Sequence, residues 1–235
     1  MGGSFDILGL IMGSHRFNLD TLAQFQERVV ETKYGEVHVM HSDELVVLPR
    51  HGMFNDIPPH MINHRANILA FSKLGVDKIL SITSVGSLKL ELSPKEIIMP
   101  DDYINFWTIQ TYFDDKIRHI VPGLDLELRE KVYSNIRTLP LDIRFNGVYI
   151  QTHGPRLETK AEINMLKDYG DVVGMTMASE ATMAKEIGIQ YANISFIDNY
   201  CNGIVDIPLT IDAISKNQAK NIDNVEKILK KLVNG

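Results

Sequence analysis

Residues 147–162 read Gly147-Val-Tyr-Ile-Gln-Thr-His-Gly-Pro-Arg-Leu-Glu-Thr-Lys-Ala-Glu162. Val148 and Ile150 alternate with less apolar neighbours, which is the period of a strand, and Gly154-Pro155 interrupts it. Thr159 and Glu162 then have the spacing of a capping box, in which a hydroxyl and a carboxylate close two backbone N–H groups at a helix start. Strand, tight turn and helix in so short a stretch are the building unit of an open α/β sheet. Ligands of such sheets sit in the crevice beyond the strand ends, which puts Arg156, Leu157 and Glu158 where a ligand is met. The same turn also reads as a plain strand-to-helix connection.

Upstream, three more apolar runs end in small, polar or basic residues. Ile7 to Met12 closes on Gly13-Ser14, a turn with backbone amides and a hydroxyl. Two strands, Val37 to Met40 and Glu44 to Leu48, lead into Arg50-His51-Gly52, a cationic pair suited to an anion. A helix over residues 62–74 stops at Gly75, and the strand Ile79 to Ile82 runs into a loop, Thr83-Ser84-Val85-Gly86-Ser87. Three such ends gathered by one sheet make an anion site.

Downstream, Phe106, Trp107, Tyr112 and Phe113 form an aromatic region that fits either a pocket lining or a subunit contact. Ser179 to Gly188 reads as a helix with a serine cap and a glycine stop. Tyr191 to Ile197 is a central strand ending in polar Asp198-Asn199, and Ile222, Val225, Ile228, Leu229 and Leu232 mark an amphipathic last helix from about Ser215. Strands alternating with helices give an α/β fold: a single three-layer domain over residues 1–235, its central mixed β-sheet flanked by helices.

Bulk composition narrows the function. The 235 residues carry a formal net charge of -6, which argues against nucleic acid as the partner, since phosphate backbones need a basic face. One cysteine, Cys201, excludes an internal disulfide framework. No apolar run approaches the ~20 residues of a membrane helix, and Met1 to Asp6 lacks the features of a secretory signal. The expectation is a soluble, cytoplasmic protein with neither nucleic acid nor membrane as partner.

Taken together the loops resemble the purine nucleoside phosphorylase and 5'-methylthioadenosine phosphorylase family over nearly the whole chain. The match rests on Gly154-Pro155-Arg156-Leu157-Glu158-Thr159-x-Ala161-Glu162, Val173-Gly174-Met175-Thr176-Met177-Ala178-Ser179-Glu180, Thr83-Ser84-Val85-Gly86-Ser87-Leu88 and Arg50-His51-Gly52, in family order. The resemblance implies cleavage of a purine N-glycosidic bond by inorganic phosphate, a co-substrate, with no cofactor and no metal. Positioned donors around the phosphate do the work, without a protein nucleophile.

By that resemblance Gly13, Ser14, Arg50, His51, Thr83, Ser84 and Thr176 hold phosphate, and Asn199, Thr176 and His51 are the catalytic set. Leu157, Glu158, Asn199 and Asp198 meet the base. Met175 meets the sugar, joined by His119 from a neighbouring subunit of a homotrimer or homohexamer. A Glu158–Asn199 pair leans to 6-oxopurines, because the carboxylate accepts from ring N1–H. Apolar Val205, Ile207 and Leu209 near the 5' end favour 5'-methylthio-nucleosides, methylthioadenosine or methylthioinosine, over inosine and guanosine. Three departures stand out: Met12 and His15 beside Gly13-Ser14, Leu157 in place of an aromatic ring, and Pro59-His60 with Asn63 and Arg65. A purine nucleosidase and a non-catalytic purine-binding protein are the alternatives.

Overall fold

The computed structural model describes residues 7–14, 25–107 and 109–233, so His15 lies outside the described residues. Two long parallel strands organise the rest: β5 (Lys78–Ser87) and β11 (Gln190–Tyr200), paired from Gln190↔Lys78 to Tyr200↔Ser87. Their apolar residues are buried on both faces, the usual state of parallel strands. On one side β5 pairs in parallel with β1 (Leu8–Met12), which pairs with β4 (Leu45–Pro49); an antiparallel hairpin of β2 (Gln26–Thr32) and β3 (Gly35–His41) extends that edge. On the other, the end of β5 meets β10 (Val172–Gly174) antiparallel, followed by β9 (Val148–Gln151) and β7 (Asp102–Asn105). Short β6 (Ile97–Ile98) pairs with β11, and β8 (Ile143–Arg144) pairs in turn with β6. Among the described residues the result is one mixed, 11-stranded sheet.

Side-chain alternation divides the core in two. Leu80, Ile82, Ala192, Ile194 and Phe196 pack with Val132 of α2 (Leu126–Ile136) and Val225 and Ile228 of α5 (Ile211–Val233). Ile79, Val85, Tyr191 and Ile197 pack with Ile68 and Phe71 of α1 (His64–Lys73) and Ala181 of α4 (Met177–Glu186). Helices therefore cover both faces, as the three-layer expectation required, and each fully buried large aliphatic side chain contributes about 1.5–3 kcal/mol. The capping box opens α3 (Lys160–Leu166) with both reciprocal bonds, and Ile163 and Leu166 seal β9 and β10.

Three expectations are corrected. Thr83-Ser84-Val85-Gly86-Ser87 is no loop; it is the second half of β5, because these residues keep pairing with β11. Asp198-Asn199 likewise lies within β11, across a register shift between Ile197 and Asn199. Ser179 caps nothing: α4 starts two residues earlier, and Ser179 is buried, its Oγ accepting from Gln151 Nε2 at 2.6 Å.

The sheet itself makes the site. The last pair of β1 on β5 is Met12↔Ile82, and β10 does not join until Val173↔Gly86. Among the described residues Thr83, Ser84 and Val85 thus have a strand on only one edge, and a cavity opens at that gap.

Candidate active site

The gap is floored by a buried ion pair. Gly13 lets Arg50 pass, since a Cβ there would stand 2.5 Å from Arg50 Nη1. The guanidinium donates from Nε to Glu180 Oε1, and from Nη2 to Glu180 Oε2 at 3.1 Å and to Ser81 Oγ at 2.6 Å, while Nη1 donates to Ile82 O at 3.0 Å. Burial penalises both charges, yet the mutual attraction and hydrogen bonds prevail: Glu180 is held below its ordinary pKa and Arg50 above its own. A guanidinium has five N–H donors, so a single Nη1 proton remains for an anion. Arg50 is at the cavity but is mainly a structural cation.

The other expected phosphate residues divide by what their hydroxyls already do. Thr83 Oγ1 is 2.8 Å from Ser195 Oγ and is turned into a buried polar layer with Asn193. Ser84 Oγ donates to Asp198 Oδ2 and accepts from Gln218 Nε2 at 3.0 Å. Both residues therefore offer an anion their backbone more readily than their side chains. Ser14 lines the cavity and is exposed. His51 also lines it, with Nδ1 2.8 Å from Ile57 O, so Nδ1 carries a proton and an imidazolium is needed for Nε2 to donate as well.

Thr176 is the clearest donor. It occupies the N-cap position of α4 yet makes no side-chain cap, and it lines the cavity. Neighbouring amides are already satisfied: Tyr149 Oη accepts from Thr176 N at 3.3 Å, and Gln151 Oε1 accepts from Ser179 N at 3.0 Å. The helix thus supplies its positive end and one hydroxyl.

The opposite wall carries Leu157, Glu158, Asn199 and Cys201. Glu158 is 9% exposed, and its Oε1 accepts from Thr152 Oγ1 at 2.6 Å, leaving Oε2 as the acceptor it can offer. Asn199 donates one Nδ2 proton to Tyr200 O at 2.9 Å and keeps Oδ1 and the second proton. Met175 sits between the walls, its Sδ 2.6 Å from where a Gly154 Cβ would be. Gly154 has φ +68 and so meets two demands for glycine at once. Burial, followed by the nearby Glu158 charge, pushes the Cys201 thiol well above its usual pKa, so it is a neutral wall residue.

One expected residue, Asp198, does not line the cavity, and His119, expected from a neighbouring subunit, does not line the cavity of its own chain. Asp198 is fully buried on the α5 side, its Oδ1 accepting from Asn221 Nδ2 at 2.7 Å and its Oδ2 from Ser84. His119 is exposed on the segment between β7 and α2. Of the three apolar residues expected at the 5' end only Leu209 lines the cavity; Val205 and Ile207 border a separate groove against α3. Arg156 braces its own loop through two bonds to Glu162, at 2.8 and 2.7 Å. Sequence reasoning missed Ile214 and Gln218 of α5, which complete the lining. The available signal was Asn217, Gln218 and Asn221, an amide cluster interrupting the apolar period of the last helix. Among the described residues no group of three or more His, Cys, Asp or Glu could hold a metal ion, and no helix is long and apolar enough to cross a membrane.

A mixed α/β sheet with a cleft at the gap beside β5, lined by hydroxyls, a carboxylate and an amide, has the architecture of the nucleoside phosphorylases. Residues 8–234 match the family described as the phosphorylase superfamily, and the chain belongs to it, within the purine nucleoside and methylthioadenosine phosphorylases. It is 40% identical to a probable 6-oxopurine nucleoside phosphorylase of Archaeoglobus fulgidus, over 96% of this chain and 97% of that one. It is 38% identical to a probable S-methyl-5'-thioinosine phosphorylase of Methanocaldococcus jannaschii, covering 89% and 85% of the two. Among solved structures, methylthioadenosine phosphorylase from Schistosoma mansoni in complex with adenine superposes with TM-score 0.84 at 25% identity, covering 96% of this chain and 90% of that one.

Proposed function

We propose that this protein is a pentosyltransferase that cleaves 6-oxopurine nucleosides with inorganic phosphate. The observation that carries the base assignment is Glu158, fixed by Thr152 with one oxygen left over, on the same wall as Asn199. A 6-oxopurine presents N1–H as a donor and O6 and N7 as acceptors, which matches a carboxylate acceptor and an amide. A 6-aminopurine offers an unprotonated N1, which a carboxylate repels.

In this reading phosphate lies between Ser14, His51, the Thr176 hydroxyl, the β5 backbone at Thr83 and Ser84, and the last Arg50 proton. A phosphate oxygen forms the bond to C1' as the bond from C1' to N9 breaks, and that electron pair leaves with the base. The Asn199 amide hydrogen-bonds N7 as charge builds on the purine, and the products are free base and ribose 1-phosphate. Met175 packs against the sugar. No protein nucleophile is required, because the rate comes from orientation and fixed dipoles around the anion.

The same proposal extends to assembly. Phe106, Trp107 and Ile109 are 68, 46 and 67% exposed beside the loop that carries Glu158, and a homotrimer or hexamer of trimers would cover them and bring in a neighbour's His119. We place the enzyme in cytoplasmic purine salvage. The test is base release from inosine, guanosine and adenosine, each with and without phosphate. Release of hypoxanthine and guanine only with phosphate supports the reading; adenosine preferred over inosine overturns the base assignment.

A further inference from the structure

We propose that Gln218 is a specificity-determining residue whose side-chain oxygen accepts the 5'-hydroxyl of the nucleoside, so that 5'-hydroxyl substrates are preferred over 5'-methylthio ones. This rests on the phosphorolytic reading above and refines its substrate class.

The argument follows proton directions. Asp198 is fully buried, and its Oδ1 accepts from Asn221 Nδ2 at 2.7 Å, while Asn217 Nδ2 bonds its backbone oxygen at 2.8 Å. A carboxylate only accepts, so its other oxygen takes the Ser84 hydroxyl proton. Ser84 has then no proton to give and must accept from its second partner, the Gln218 amide, at 3.0 Å. That fixes which way the amide faces: the nitrogen is toward Ser84, and Oε1 is the group left over. Gln218 lines the cavity, so this wall presents an acceptor.

A nucleoside has three ends, and two are assigned. Glu158 and Asn199 meet the base, while Ser14, His51 and Thr176 meet the phosphate that attacks C1'. Leu209, Ile214 and Gln218 form a third lining segment, and with the other two ends assigned this segment takes C5'. Leu209 and Ile214 pack the methylene, and Gln218 Oε1 receives the hydroxyl proton. A methylthio group has no proton to donate and would leave that oxygen desolvated and unpaired.

The experiment measures kcat/KM at saturating phosphate for inosine, 5'-deoxyinosine, 5'-O-methylinosine and methylthioinosine. The wild type should favour inosine over both 5'-deoxyinosine and methylthioinosine by about tenfold, and Gln218→Leu should bring the ratio to 5'-deoxyinosine close to one; methylthioinosine preferred by the wild type would overturn the assignment. Asp198→Asn provides an isosteric second variant. Its amide nitrogen would donate to Ser84, turn the Ser84 proton toward Gln218 and reverse the amide, so 5'-O-methylinosine, an acceptor without a proton, should gain on inosine. Phosphorolysis with inosine and 5'-deoxyinosine turned over equally by the wild type, or with ratios that neither variant alters, overturns the assignment of Gln218 alone. Turnover of no nucleoside overturns the phosphorolytic reading and this inference with it.

Discussion

Replacing Glu180 by glutamine tests the buried ion pair beneath the cavity. The side chain is nearly isosteric, so the change removes charge and turns one acceptor oxygen into a donor nitrogen. Arg50 Nε and Nη2, Ser81 Oγ and Tyr191 Oη all donate to that carboxylate in the native protein. At least one of them would face an N–H, and the guanidinium would stay buried without its counter-charge. Breaking a buried pair from one side costs about 3–5 kcal/mol, which at about 2–4 °C per kcal/mol lowers Tm by roughly 6–20 °C. Tyr191→Phe is the internal standard, since it deletes one neutral hydrogen bond to the same group, worth about 1 kcal/mol. Scanning calorimetry at pH 7 should rank Glu180→Gln well below Tyr191→Phe. Equal losses would refute the reasoning, because they would mean the pair acts as ordinary hydrogen bonds. The sign of the acid response follows too: Glu180 has a lowered folded pKa, so its contribution is present above the unfolded carboxyl value and is lost as pH falls through the folded one.

Three further outcomes are expected. His64 is buried with no hydrogen-bond partner at Nδ1, which stands 4.0 Å from Glu180 Oε1, and burial above all lowers its pKa to about 4. The unfolded chain therefore takes up a proton between about pH 6.5 and 4 that the native state refuses, at a total cost of about 3 kcal/mol; His64→Gln should flatten the fall in Tm over that window, and an unchanged profile would remove His64 as its cause. Thr176→Ala should raise KM for phosphate by about tenfold or more through loss of a hydrogen bond to a charged ligand, checked by initial rates against phosphate concentration; an unaltered KM and kcat would take Thr176 out of the site. Asn199→Asp should shift the kcat/KM ratio from inosine toward adenosine, and a constant ratio would show that Asn199 does not read the base.

Much of this was legible in the sequence because periodicity and capping are local. The capping box at Thr159 and Glu162, the helix that stops at Gly75 and the buried strand of residues 191–197 required only near neighbours. The continuation of β5 through Thr83 to Ser87 was not legible, because small polar residues look like a loop until their partners across the sheet, Asn193 and Ser195, are in place. β2 was passed over as an edge strand, with five of its seven residues polar and only Val30 buried. The structural half of Arg50's role was not legible, because its counter-ion, Glu180, is 130 residues away. Gln218, 134 residues from Ser84, was hidden for the same reason, as was the inward turn of Asp198, which depends on Asn221.

The most direct test of the central claim is product analysis of the purified protein with inosine in phosphate-free buffer and again with phosphate, resolving hypoxanthine, ribose and ribose 1-phosphate. The account predicts hypoxanthine and ribose 1-phosphate in equal amounts, only when phosphate is present. Free ribose formed without phosphate would contradict it, and so would purine binding with no cleavage in either buffer.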